Sequence, residues 1–145
     1  SQRESYLAMY KKMDEFGEER ARQFGGKYFS TVWEVGPHHL PVYVASNHSL
    51  PDTPKAVPFD MLSLVHGDTV AESEDSLRNV RHDEENIYGL GTADMKWAMV
   101  AAGEGVAQAS KKSHVGMIVT PDEEIGGAIT EKFVQEGIFD QTKII

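Results

Sequence analysis

Met61-Leu62-Ser63-Leu64-Val65-His66-Gly67-Asp68 is the stretch on which the reading of this chain turns. Residues 61–65 are short and almost wholly apolar, as a strand buried on both faces requires. They run straight into His66, Gly67 and Asp68, so polar chemistry begins where the apolar run stops. The same design recurs downstream. Residues 115–119 form a second apolar run, which ends at Thr120-Pro121-Asp122-Glu123-Glu124. Two buried strands, each closing on acidic or imidazole side chains, predict an open sheet with its chemistry at the carboxyl ends of the strands.

Working outward, residues 95–112 are rich in Ala and Met and close on two lysines, which predicts a helix despite Gly103 and Gly105. Gly126-Gly127 leads into a helix over 128–136, and Gly137 ends it. Residues 143–145 read as the start of a further strand. Towards the N-terminus, residues 4–24 have the period of an amphipathic helix, with Leu7, Tyr10, Met13, Phe16, Arg20 and Phe24 on one face. Gly25-Gly26 closes it. Residues 28–35 alternate, with Phe29, Trp33 and Val35 on one face, as in a strand. Residues 42–44 suit a second short strand, and 46–60 a connecting loop. Residues 71–86 are acidic and polar and read as a surface loop. The order α, β, β, β, α, β, α, β predicts an α/β fold, a mixed and largely parallel sheet flanked by helices.

Composition narrows the function. The chain has 145 residues, a formal net charge of −9 and no cysteine. The negative charge argues against nucleic acid or an anionic membrane as partner. With no thiolate available, a metal site must draw on His, Asp and Glu. No apolar run approaches the length of a membrane span, and the polar N-terminus lacks a signal-peptide core, so a cytoplasmic protein is expected.

Three clusters carry candidate chemistry: His66 and Asp68 after the first buried strand, Asp94 in Gly89-Leu90-Gly91-Thr92-Ala93-Asp94-Met95-Lys96, and Glu123-Glu124 after the second. Singly, each has an ordinary explanation: a structural histidine, a helix cap, a solvated acidic pair. Gly89-Leu90-Gly91 lacks the pattern and the lysine of a phosphate loop. Together the three place imidazole and carboxylate donors, suited to zinc or a similar ion, at one sheet edge.

The ordered set HGD, YGLGTADMK and TPDEEIGG resembles the zinc-dependent amidohydrolase family of acetylornithine deacetylase, succinyl-diaminopimelate desuccinylase, carboxypeptidase G, aminoacylase and tripeptidase T. Residues 87–96 look most like acetylornithine deacetylase, and 120–126 equally like tripeptidase T. The resemblance is specific over residues 61–145. It implies the N-terminal part of a zinc-exopeptidase-like catalytic domain that hydrolyses the amide bond of an N-acyl amino acid or small peptide. It also implies two Zn2+ or Co2+ ions in the full-length parent. His66 and Glu124 would each be a terminal metal ligand, and Asp94 would bridge the ions. Asp68 would hold the other nitrogen of His66, and Glu123 would be the general base and acid. A cis peptide after Asp94 is implied as well. The family's remaining ligands, its dimerisation domain and its C-terminal part lie beyond the pattern seen here. The expectation is therefore an incomplete domain from a homodimeric parent, inactive by itself. Trp97 stands where the family has a small residue, and 71–86 replaces the family's usual stretch. A degenerate, non-catalytic paralogue serving as a binding module is the alternative reading. N-succinyl-diaminopimelate or di- and tripeptides are the alternative substrates.

Overall fold

The computed structural model describes residues 2–35, 40–70 and 79–145. The elements are α1 (Gln2–Phe24), β1 (Phe29–Val35), β2 (Leu40–Ser46), β3 (Met61–His66), β4 (Arg81–His82), β5 (Ile87–Tyr88), α2 (Trp97–Gln108), β6 (Val115–Thr120) and α3 (Ala128–Gln135). The main sheet has the order β1-β2-β6-β3. It is mixed and flanked by helices. β1–β2 and β2–β6 are antiparallel, and the parallel pairings are β3–β6 and a bridge from Met61 to Ile144. That bridge is what the strand expected from residue 143 forms within this chain.

Alternation of side chains across the pleat puts a core on each face. Val42 and Val44 of β2 and Ile118 of β6 point to one side, where they meet Trp33, Phe59, Leu62, Ile129 and Phe133 under α3. Tyr43, Ala45, Met117 and Val119 point to the other, where Tyr10 and Met13 of α1 and Met99 and Val106 of α2 cover them. Both faces being buried explains why the central strands read as continuous apolar runs.

Helix α1 meets the sheet on a face rotated from the expected one. Tyr6, Tyr10, Met13, Gly17 and Ala21 are buried, whereas Phe24 is 53% exposed, with Arg20 lying over its ring. Gly17 and Ala21 decide this by allowing close approach. A Cβ on Gly17 would stand 2.3 Å from the Tyr28 ring. In β1, Trp33 and Val35 are inward as expected, but Phe29 lies at the exposed end of the strand.

The acidic segment 71–86 is only partly a loop. Residues 71–78, with Glu72, Glu74 and Asp75, lie outside the described residues. Beyond them, β4 and β5 pair as a hairpin. Its turn is built by Asp83, whose Oδ1 accepts the N–H groups of Glu85 and Asn86 at 2.9 and 2.8 Å. Helix α2 starts at Trp97, two residues later than expected, because Asp94 (φ −133°, ψ 95°) and Met95 (φ −141°, ψ 42°) are not helical. It ends at Gln108, where Ala109 turns extended.

Candidate metal centre

The parallel pairing of β3 with β6 sets His66 opposite Thr120. The two strands therefore release their chains at the same sheet edge. Gly67 N–H donates to the Thr120 carbonyl at 2.9 Å, which carries the ladder one step past His66. Pro121, Asp122 and the short 3-10 turn Glu123–Ile125 follow beside it. Asp94 arrives from the segment that enters α2, the crossover between these two strands. Its peptide bond to Met95 is cis, as the resemblance implied.

These placements bring the five expected residues together. His66 Nε2 lies 2.9 Å from Asp94 Oδ1 and 3.8 Å from Glu123 Oε2. Ligand atoms of His66, Glu123 and Glu124 fall within 4.8 Å of one another. Glu123, the expected base, therefore belongs to the same cluster as Glu124. The His66 side chain is 7% exposed, whereas Asp94 and Glu123 are 73% and 59% exposed. A buried imidazole consequently forms the floor, and the carboxylates form the walls, of an open cleft of about 780 Å³ that also reaches Gly127, Thr130 and Glu131.

The imidazole's partners bear on what the cluster can hold. Nδ1 is 3.1 Å from the Asp68 carbonyl oxygen, which accepts only from a protonated nitrogen. The opposite nitrogen faces a carboxylate oxygen at 2.9 Å, a contact that requires positive charge between two acceptors. A proton or a metal ion can supply it. Burial opposes charge on His66, but the Asp68 carbonyl and the Asp94 and Asp68 carboxylates outweigh it and raise its pKa above the usual imidazole value. Imidazole nitrogen and carboxylate oxygens are the right donors for zinc or a similar divalent ion. The residues present fit such a group.

Asp68 departs from its expected contact. Its carboxylate is 3.4 Å from His66 Nδ1, while its main-chain oxygen makes the closer approach. The carboxylate oxygens instead accept main-chain N–H groups, Glu123 on Oδ1 at 3.2 Å and Glu124 on Oδ2 at 2.9 Å. Trp97 does not disturb the site. It is 62% exposed, and its indole N–H donates to the Ala93 carbonyl at 2.8 Å. The large ring finds room at the surface.

Two residues gain a place that sequence reasoning did not assign. Asp122 is buried; its Oδ2 accepts the Ile129 N–H of α3 at 2.9 Å, and its carbonyl accepts Gly127 N–H at 2.8 Å. It ties the turn to the helix. An acidic residue ahead of a helix is a capping signal, but the intervening Gly126-Gly127 moved the apparent start too far away. Tyr6 donates to the Pro121 carbonyl at 3.1 Å, a contact across 115 residues that no local pattern reveals.

A model described as Peptidase family M20/M25/M40 matches residues 62–144. Among solved structures, the crystal structure of human carnosine dipeptidase 1 superposes with a TM-score of 0.60 at 17% sequence identity, covering 100% of this chain and 34% of that chain. The likeness is one of fold, and the chain spans about a third of that protein's length. A search of curated protein sequences returns no match.

Proposed function

We propose that this chain, which belongs to Peptidase family M20/M25/M40, forms part of the metal centre of a hydrolase that cleaves an amide bond. The observation that carries the reading is the convergence of His66, Glu123 and Glu124 within 4.8 Å, with Asp94 beside His66. His66, Asp94 and Glu124 would hold the metal, and Asp94 could serve two ions because one carboxylate offers two oxygens. Zinc or cobalt bound there would supply the acidification of a water and the polarisation of a carbonyl. Glu123, exposed in the cleft, would take up a proton and hand it to the leaving amine. Asp68 and the buried surroundings of His66 keep the imidazole in one orientation.

The substrate we favour is an N-acyl amino acid of the acetylornithine type, on the strength of residues 87–96. N-succinyl-diaminopimelate and small peptides are the alternatives. The likeness to a dipeptidase fold is compatible with a peptide. With Asp94 shared, the described residues give each ion one terminal ligand, fewer than the three protein ligands usual at a catalytic zinc. For that reason we propose that residues outside 1–145 complete the site, and that this chain turns over substrate poorly even with zinc added. Trp97 was the feature favouring a degenerate binding module, and its accommodation at the surface removes that support.

The test is metal content and hydrolysis measured together in the full-length protein. Glu123→Gln should keep its zinc and lose nearly all turnover of acetylornithine, succinyl-diaminopimelate and dipeptides alike. Glu124→Gln should lose zinc. Retained turnover in a Glu123→Gln protein depleted of metal would reverse the two roles. Wild-type protein that bound no zinc would end the metal reading.

A further inference from the structure

We infer that the Asp68 carboxylate is a positioning residue for the Glu123-Glu124 turn, gripping it by its main chain, beyond any part it has in orienting His66. The inference rests on the metal-centre reading above, because only there does the placement of these two glutamates matter.

The geometry is specific. Asp68 is 8% exposed at its side chain. Its two oxygens are divided between successive amides, 3.2 Å to Glu123 N and 2.9 Å to Glu124 N. A carboxylate taking two adjacent N–H groups fixes both the position and the tilt of the peptide between them. Hydrogen bonds to an ionised acceptor are stronger than neutral ones, and here they form away from solvent. His66, by contrast, gets its closer contact from the Asp68 main-chain oxygen, at 3.1 Å against 3.4 Å for the carboxylate. Replacing the side chain would leave that carbonyl in place.

The turn needs the anchor. Among the described residues, no side chain other than Asp68 accepts from the N–H groups of Glu123 and Glu124. Downstream, Asp122 fixes the turn to α3 through the Ile129 N–H. Upstream, Tyr6 holds the Pro121 carbonyl. Asp68 fixes the middle, where the two functional carboxylates are attached. One residue of the first motif thereby sets the geometry of the third. Neighbours in sequence can be aimed differently, one at metal and one at a proton, only if the backbone between them is held still.

Amide hydrogen exchange of the protein without metal reads this directly. In the wild type, the Glu123 and Glu124 amides should exchange far more slowly than an unstructured peptide, although the Glu123 side chain lines an open cleft. Asp68→Asn is nearly the same size but has one acceptor oxygen where the carboxylate has two. It should speed exchange at one or both amides by roughly ten- to a hundredfold while Ile118 and Val119 of β6 stay protected. Its zinc affinity should fall by about ten- to a hundredfold. His66→Ala should lose zinc but leave both amides slow. Fast exchange at Glu123 and Glu124 in the wild type would overturn the inference without any variant. So would unchanged exchange in Asp68→Asn, or equal loss of protection in His66→Ala. A wild type that binds no zinc yet shows the Asp68-dependent protection would instead sink the metal reading and leave the anchor standing.

Discussion

Replacing Phe133 by alanine should destabilise the chain by about 3–5 kcal/mol, in the upper part of the range for such truncations. Phe133 is 0% exposed. Its ring meets Trp33 edge-on at 6.0 Å and Phe139 at 6.2 Å, pairs that add to the burial itself. The cavity would not close easily. Trp33 is also fully buried, and its indole N–H is committed to the Pro51 carbonyl at 2.9 Å, so it cannot swing into the space without breaking that bond. Helix α3 has only two buried residues, Ile129 and Phe133, so losing one removes about half of what docks it. The assay is urea denaturation followed by circular dichroism, with Val134→Ala as control. Val134 is 61% exposed and its truncation should stay within about 0.5 kcal/mol. Zinc affinity should weaken together with stability, because Asp122 links α3 to the glutamate turn. A loss below about 1 kcal/mol for Phe133→Ala, or one no larger than that of Val134→Ala, would show that α3 is not held to the sheet in this way.

Gly116→Ala in β6 should cost about 1–3 kcal/mol, because a Cβ there stands 2.3 Å from the ring of buried Phe59; a denaturation midpoint equal to wild type would contradict it. Tyr43→Phe should cost about 1–3 kcal/mol, since its buried hydroxyl donates to Asp14 at 2.6 Å and contacts the Tyr28 hydroxyl at 2.8 Å. Stability should also fall in mild acid through His114. Burial first, and the neighbouring His48 second, hold its pKa below the usual imidazole value against the opposing pull of Asp60, and its Nε2 has no hydrogen-bond partner. The unfolded chain then gains this proton at about pH 6.5 and the folded chain only at lower pH. The contribution is intact above about 6.5 and is lost as pH falls toward the folded value, so His114→Phe should flatten the decline below about pH 6.5.

Much of this protein was legible as a linear pattern. Buried strands show themselves as apolar runs because both faces of β2 and β6 are covered, so residues 115–119 could be placed without coordinates. Residues 61–65 could be placed as a strand too, but β3 ends the four-stranded sheet and is only partly buried, with Met61 50% exposed. His66, Asp94 and the pair Glu123-Glu124 could be nominated because metal donors are few in kind and each stood at the end or entry of an element, but the division of roles between Glu123 and Glu124 came from the family resemblance alone. Tertiary structure decided what depends on the distance between elements. The face of α1 follows Gly17 against Tyr28, since closeness of approach is a property of two segments and not of one period. The chain enters α2 at Trp97 and not at Met95 because Asp94 and Met95 adopt non-helical dihedrals that their Ala- and Met-rich surroundings do not announce. The partners of Asp68 were likewise hidden. A pattern could say that a carboxylate stands two residues after a histidine. Only the parallel register that sets His66 against Thr120 could bring its oxygens to the amides of Glu123 and Glu124, because hydrogen bonds between residues 55 and 56 positions apart exist only once the sheet has formed.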